Sequence, residues 1–252
     1  LRELVSFADR TYRAGERITP LMKAVNVLLF KLEGQIIQRH PEFDMEGRLL
    51  LENIDLEAGT VRLEDGTWPL ATPDPEHPYE LTASEQRIVD KLVSEFTGSD
   101  HLRRHVEFLF RHGSIYLVRN GNLLFHGCVP MNEDGTFASM NCEGTWRSGR
   151  DYLDFCDRIA RRAWRDHDRA ALDWLWYLWI GYRSPASGRY VKTFERSYLE
   201  DQATWAEPMD PYFTLTHEAT ACDAVLREFG VEPEHGHIIN GHTPVKTKSG
   251  EK

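Results

Sequence analysis

The chain has 252 residues, of which 30 are Lys or Arg and 40 are Asp or Glu, so its net charge is −10 with His neutral. This acidic balance argues against nucleic-acid binding, which needs clustered excess cation to displace counterions from phosphate. The hydrophobic content of 41% suffices for a buried core, and no apolar run approaches the roughly 18 residues that cross a bilayer, so we expect a soluble folded chain with no membrane partner.

The start of the chain and its cysteines bear on its context. It begins at Leu1 without an initiator Met or a leader, and we expect it to be an excerpt of a longer protein. Its four cysteines are widely spaced and form no CxxC pair, which favours a reducing, cytoplasmic setting.

Residues 1–110 are predicted to be mostly helical, with one small hairpin. Thr19-Pro20 is typical of an N-cap followed by proline in the first helical turn, and apolar residues at three- and four-residue steps predict a helix that ends near His40. A short helix is expected over 46–51, and Asp65-Gly66 predicts a hairpin turn between 59–63 and 67–70. Two further helices are predicted, over 82–96 and 99–110. This part holds 13 basic and 20 acidic residues and no recognisable catalytic constellation.

From residue 111 the pattern changes to mixed helices and strands. Asn120-Gly121 separates two short apolar runs, over 115–118 and 122–125, and predicts a hairpin. The rest of the pattern predicts the following: a turn-rich segment over 135–149, helices over about 151–165 and 169–180, a Gly/Ser/Pro-rich loop over 181–188, a helix over 218–229 and an apolar run over 237–240. The fold class is therefore α/β (α+β), in two parts that meet near residue 110.

Two histidines occupy equivalent places in this second part. His126 and His242 each come just after an apolar run, beside a glycine and shortly before a proline. The carboxyl ends of strands are where open α/β sheets gather ligands and metals, and neutral imidazole is the commonest metal ligand. The alternative is that each is a loop histidine hydrogen-bonded to backbone, and the pattern alone leaves both interpretations open.

Longer strings of this sequence resemble a known family. The chain is similar to the class III fructose-1,6-bisphosphatases of bacteria over nearly its whole length. The strings that carry this resemblance lie at residues 30–39, 121–130, 176–179, 192–196 and 234–246.

The resemblance implies a fold, a metal centre and a reaction. That family belongs to the calcineurin-like metallophosphoesterases, whose β-sandwich is flanked by helices and carries two divalent ions, here Mn²⁺, that hydrolyse phosphate esters. By resemblance, His126 and His242 match the fourth and fifth metal-binding blocks and would ligate the same ion. The first three blocks, with the bridging Asp and the proton donor, do not occur here, so we expect no catalytic residue in this chain. Residues 111–252 would then be the C-terminal part of a catalytic domain that is incomplete at both ends, binding Mn²⁺ weakly and inactive alone.

The substrate that the resemblance implies, fructose 1,6-bisphosphate, needs local cations as well as metals. The loop after Trp179 resembles the family's phosphate-binding segment, which makes Arg189 the first choice for a phosphate contact, Lys192 the second and Arg183 a third. The alternative is a solvated basic loop. The helical first part is interpreted as an insertion that caps the site or builds an oligomer contact, and a homo-oligomer is left open.

Other features have plainer interpretations. His235 and His237 precede a strand rather than follow one, so a structural or surface role is expected. Cys128 is expected to be a small buried residue. The alternating arginines and aspartates of residues 147–169 predict exposed ion pairs at helical spacing, and the tryptophans of 174–179 predict a helix packed in the core.

Two competing functions remain open at this point. The chain could belong to a related phosphatase acting on phosphoproteins or dinucleoside polyphosphates. It could also be a non-catalytic regulatory module that keeps the fold and has lost the metals.

Overall fold

The computed structural model describes residues 2–12, 19–54, 56, 60–63, 66–69, 71–192 and 202–242. The described residues form both helices and short strands, so the predicted α/β class is confirmed. The chain divides into two units: Leu1–Leu109 with Lys192–Ala206, and Phe110–Val191 with Glu207–Lys252. None of the described helices is long and apolar enough to cross a membrane.

The first unit is built on helices whose ends follow from local side-chain hydrogen bonds. Thr19 caps α2 by accepting a hydrogen bond from the Met22 amide, and Thr82 and Glu85 form the predicted capping box of α3. The elements are α1 (Arg2–Thr11), α2 (Pro20–Arg39), α3 (Ala83–Thr97), the hairpin strands β1 (Thr60–Leu63) and β2 (Gly66–Pro69), and α4 (Asp100–His112), which continues into the second unit. Asp65, in the predicted turn, lies outside the described residues.

The predicted helix over 46–51 is wrong in detail. Two short 3₁₀ turns, Glu46–Arg48 and Leu50–Asn53, take its place, because Leu49 adopts a ψ of 67° and interrupts the helical backbone. Leu50 and Leu51 are both buried and belong to the hydrophobic core of the first unit.

The core of the first unit encloses charged side chains that pair with each other. Apolar residues of α1, α2 and α3 form the cluster, with Phe7, Phe30 and Ile88 among them. The Nζ of Lys31 donates to Glu85 at 2.8 Å, and both side chains are almost completely buried. Burial without such a partner would leave each charge with a large desolvation cost.

The second unit contains a three-stranded sheet in the order β3-β4-β7. Strands β3 (Tyr116–Arg119) and β4 (Asn122–Phe125) form the predicted hairpin, because Asn120 and Gly121 both take the positive φ, 52° and 73°, that a tight two-residue turn needs. Strand β7 (His237–Ile239) pairs with β4 in parallel, with His237 opposite Asn122.

The remaining elements of the second unit surround this sheet. They are β5 (Met140–Cys142), β6 (Thr145–Arg147), α5 (Gly149–Asp166), α6 (Arg169–Ile180), α7 (Tyr212–Leu215) and α8 (Ala219–Glu228). The β5–β6 hairpin falls in the segment expected to be only turns, because its strands are three residues long and too short for an alternating pattern. The expected helices over 151–165, 169–180 and 218–229 are present within three residues of the predicted bounds.

Candidate metal centre

The two strand-end histidines meet. His126 directly follows β4, and His242 comes three residues after β7, so the parallel pairing of these strands brings both to one edge of the sheet. The amides of Gly241 and His242 donate to the His126 carbonyl at 3.2 and 3.0 Å, which fixes the two backbones against each other. The Nδ1 of His242 lies 2.9 Å from the Nε2 of His126, although the residues are 116 positions apart.

Partial burial and nearby charges favour the neutral form of the His242 ring. Partial burial lowers the pKa of His242 below its ordinary value, and the charges of His126 and Arg189 lower it further. Because a metal binds the unprotonated ring nitrogen, a lowered pKa leaves His242 ready to act as a ligand at neutral pH. His126 is exposed, so its ring is open to solvent.

The loop over 181–188 packs directly against the residues after His126. The amides of Gly127 and Cys128 both donate to the Pro185 carbonyl at 3.1 Å. A Cβ at Gly127 would lie 2.6 Å from that carbonyl oxygen, so only glycine permits the approach. The loop predicted from sequence to carry phosphate-binding cations therefore adjoins the strand end that carries His126.

Arg189 leaves this loop close to the histidine pair. It forms an isolated antiparallel bridge with Met209, and its Nη1 lies 3.7 Å from a carboxylate oxygen of Glu207. After burial and the charge of His126, the charge of Arg189 is a further cause of the lowered pKa of His242. Its Nε is buried and has no hydrogen-bond partner within the described part of the chain.

The other two predicted cations are placed differently. Arg183 donates to the Asn132 side chain at 3.4 Å, and its charge acts on the buried carboxyl of Asp210. Lys192 belongs to the first unit rather than to the unit with the histidines. Of Arg183 and Arg189, which lie in the same unit as the histidines, Arg189 is the one whose charge acts on His242.

Asp210 is a residue that sequence reasoning missed. Its Oδ1 accepts the amides of Met131 and Tyr212 at 3.0 and 2.9 Å, and its own amide donates to the Gly188 carbonyl at 2.8 Å. It thus ties the chain after His126 to the end of the 181–188 loop. Burial raises the pKa of this carboxyl to about 6. No pattern in the sequence marks it, because its partners come from three separate segments.

One face of the sheet beside the histidines is apolar and partly open. Leu117, Leu124 and Ile239 lie in one row across the three strands, and Leu117 and Ile239 are each 50% exposed. They line a cavity of about 410 Å³ that also includes His126 and Gly241.

The simpler sequence interpretations are mostly confirmed. Cys128 is fully buried, which raises the pKa of its thiol well above the ordinary value. His235 and His237 are exposed, and His237 begins the strand that His242 follows. Ion pairs join Arg147 to Asp151, Arg150 to Asp154, Arg161 to Asp157, and Arg169 to Asp173.

The prediction that all the tryptophans of α6 pack in the core is wrong. Trp174 is buried, but Trp179 is 62% exposed, together with the half-exposed Leu172 and Leu175. The apolar positions extend around more of the helix than the part that packs against α5, so one side remains uncovered within the described residues.

The histidine pair is an incomplete site by itself. Across the described residues, no group of three or more His, Cys, Asp or Glu side chains is arranged to hold a metal ion. The residues after His242 that complete its sequence motif, Thr243 and Pro244, lie outside the described residues, as do Phe194, Glu195 and Arg196.

Comparison with known proteins agrees with these features. The site is a pair of histidine side chains at the ends of parallel strands, beside a loop that is followed by Arg189. The chain belongs to the Firmicute fructose-1,6-bisphosphatase family, whose model matches residues 5–252. Family membership implies a divalent metal cofactor.

Curated relatives carry a matching description. The chain is 44% identical over 240 residues to the fructose-1,6-bisphosphatase class 3 of Clostridium tetani, covering 91% of this chain and 36% of that relative. It is 45% identical over 240 residues to that of Clostridioides difficile (91% and 36%), and 43% identical over 260 residues to that of Bacteroides fragilis (98% and 39%). The chain thus spans between a third and two fifths of the length of these relatives. No solved structure matches it.

Proposed function

We propose that the protein to which this chain belongs is a phosphoric monoester hydrolase that removes the 1-phosphate of fructose 1,6-bisphosphate. The observation that supports this proposal most directly is the 2.9 Å distance between ring nitrogens of His126 and His242 at the strand ends. The relatives named as fructose-1,6-bisphosphatases support the choice of substrate. We further propose a cytoplasmic location and a two-ion site loaded with Mn²⁺.

The geometry of the pair suits two ligands of one ion. Two nitrogens that bind one ion at about 2.1 Å on adjacent positions are about 3 Å apart. The observed separation of 2.9 Å is close to that distance. When bound, the metal centre would polarise the phosphoryl group and lower the pKa of the attacking water.

In this scheme, the residues of this chain would hold the metal and orient the substrate. His126 and His242 provide ring nitrogens, and Arg189 provides a guanidinium that can donate two hydrogen bonds to phosphate oxygens. Glu207 pairs with that guanidinium at 3.7 Å. Lys192 and Arg183 remain secondary candidates for contacts with the second phosphate.

The histidines can be tested in the complete protein. Replacing His126 or His242 with Ala should lower phosphate release from fructose 1,6-bisphosphate by about 100-fold or more, because loss of a ligand is at least as costly as loss of its supporting partner. His235→Ala is the matched control, since His235 is exposed and precedes the strand, and it should leave the rate unchanged. Near-normal rates in both ligand variants would refute the assignment.

The cation can be tested separately. Arg189→Ala should raise KM or lower kcat for the bisphosphate while leaving Mn²⁺ binding intact, because the guanidinium would contact substrate and not metal. Unchanged kinetics would remove Arg189 from the site.

The 252-residue chain alone gives a third test. Calorimetric titration should show weak Mn²⁺ binding that is lost in His242→Ala, and the chain should release no phosphate because it lacks the other metal-binding blocks. Substantial turnover by this chain would contradict the proposed division of the site.

A further inference from the structure

A second cationic site lies in the same unit as the histidine pair but is formed by other residues. A cavity of about 550 Å³ opens between helix α5 and the β5–β6 hairpin, and we refer to it as the arginine groove. The charged residues that line it are Glu143, Arg147, Arg158, Arg161, Arg162 and Arg165. Neither His126 nor His242 is among its lining residues.

The charge of the lining is strongly one-sided. Five guanidiniums face the cavity against the single carboxylate of Glu143. Asp151, Asp157 and Asp166 pair with three of these arginines at 2.6 to 2.8 Å, but none of the three aspartates lines the cavity. Arg162 pairs with Glu143 and Asp168, so four of the five guanidiniums have a carboxylate partner, and the uncompensated positive charge among the lining residues is that of Arg158.

Two of the arginines have hydrogen-bond donors that no described residue accepts. Arg158 is exposed and makes no ion pair or side-chain hydrogen bond with any described residue. The Nε of Arg147 is buried and likewise has no partner in the described part of the chain. An unpartnered guanidinium nitrogen at a cavity wall is costly unless an anion or water takes its hydrogen bond.

One wall of the groove is apolar and carries a thiol. Burial raises the pKa of the Cys142 thiol to about 12, the charges of Asp151 and Glu143 also raise it, and the charges of Arg147 and Arg158 lower it. Cys142 lines the cavity beside the apolar side chains of Phe155 and Ile159. The groove thus combines spare guanidiniums with an apolar wall and a neutral thiol.

We propose that the arginine groove binds a small molecule that carries a phosphate or diphosphate group, with Arg158 and Arg147 as its main hydrogen-bond donors. The guanidinium fork matches phosphate oxygens in pairs, and no lysine lines the groove. Phe155 and Ile159 would contact the carbon skeleton of the ligand. The volume is within the range of small-molecule sites, and the proposal does not depend on the function proposed for the histidine pair.

The test uses pyrophosphate as the probe and EDTA to keep the histidine pair free of metal. Isothermal titration of the 252-residue chain should show binding that weakens as salt is added, because exposed charges are screened. Arg158→Gln should weaken binding by about tenfold or more, since it removes a charged hydrogen-bond donor. Arg158 is exposed and makes no ion pair or side-chain hydrogen bond with a described residue, so this variant should fold as the parent does.

Two control variants distinguish binding in the arginine groove from binding elsewhere on the chain. Arg169→Gln removes the same charge from an exposed arginine that does not line the groove, and it should leave the affinity unchanged. Arg189→Gln reports on anion binding beside the histidines, and the binding that depends on Arg158 should persist in this variant. Equal affinity in Arg158→Gln and the parent would overturn the proposal, as would a loss confined to Arg189→Gln, which would place the anion at the histidine pair.

Discussion

Because the carboxyl of Asp210 is buried, we predict that the stability of the folded protein depends on pH. Asp210 is 1% exposed, and its Oδ2 is buried without a hydrogen-bond partner among the described residues. Burial raises its pKa to about 6, even though the amides of Met131 and Tyr212 and the charge of Arg183 act in the opposite direction. Burial raises the pKa values of Cys128 and Tyr182, and the charge of Asp210 raises them further, so both side chains stay neutral. The charged form of Asp210 is therefore the unfavourable one.

The sign and size of the effect follow from this shift. The folded protein binds a proton at Asp210 more tightly than the unfolded chain, whose carboxyl has a pKa of about 3.9. Its favourable contribution is complete below about pH 4 and is lost as the pH rises through about 6. A difference of about two pKa units corresponds to about 3 kcal/mol in the free energy of unfolding.

Asp210→Asn separates the charge from the hydrogen bonds. The Asn side-chain oxygen can still accept the amides of Met131 and Tyr212, but the side chain cannot ionise. Relative to the parent, the variant should therefore gain about 3 kcal/mol of stability between pH 4 and pH 7, whatever the constant cost of its amide group.

Urea unfolding of both proteins at pH 4, 5, 6 and 7, followed by tryptophan fluorescence, measures this difference. Asp134→Asn is the matched control, because Asp134 is exposed and the Thr136 side chain and amide lower its pKa, so any trend should have the opposite sign. A difference between Asp210→Asn and the parent that stays constant from pH 4 to pH 7 would refute the reasoning.

Two further predictions concern packing and buried charge. Gly188→Ala should destabilise the protein by about 2 to 4 kcal/mol in urea unfolding, because Gly188 has a φ of 62° and a Cβ there would lie 2.7 Å from Cys128 Sγ. Gly135→Ala has a positive φ but open space around it, so it should cost only about 1 kcal/mol, and equal losses would argue against the packing explanation. Lys31→Met should cost about 3 to 5 kcal/mol because it leaves the Glu85 carboxylate buried and unpaired, and a loss under about 1 kcal/mol would show that the pair is not needed.

Some of this structure could be predicted because it depends on residues close together in sequence. The Thr82–Glu85 capping box, the Asp168 cap on the Ala171 amide and the Asn120-Gly121 turn each use hydrogen bonds or backbone angles within a few residues. Those local interactions determined where α3, α6 and the β3–β4 hairpin begin or turn. The short β5–β6 hairpin was missed because three-residue strands leave too little pattern to detect.

The histidine pair shows which features of the site could be predicted from the sequence and which could not. The sequence by itself determined that His126 and His242 each follow an apolar strand, and its longer strings showed a family resemblance. Only the tertiary structure decided that the two strands are parallel neighbours, that the 181–188 loop packs on Gly127, and that Asp210 joins the segments. The reason is physical: those contacts join residues tens to more than a hundred positions apart, so no local periodicity or cap encodes them.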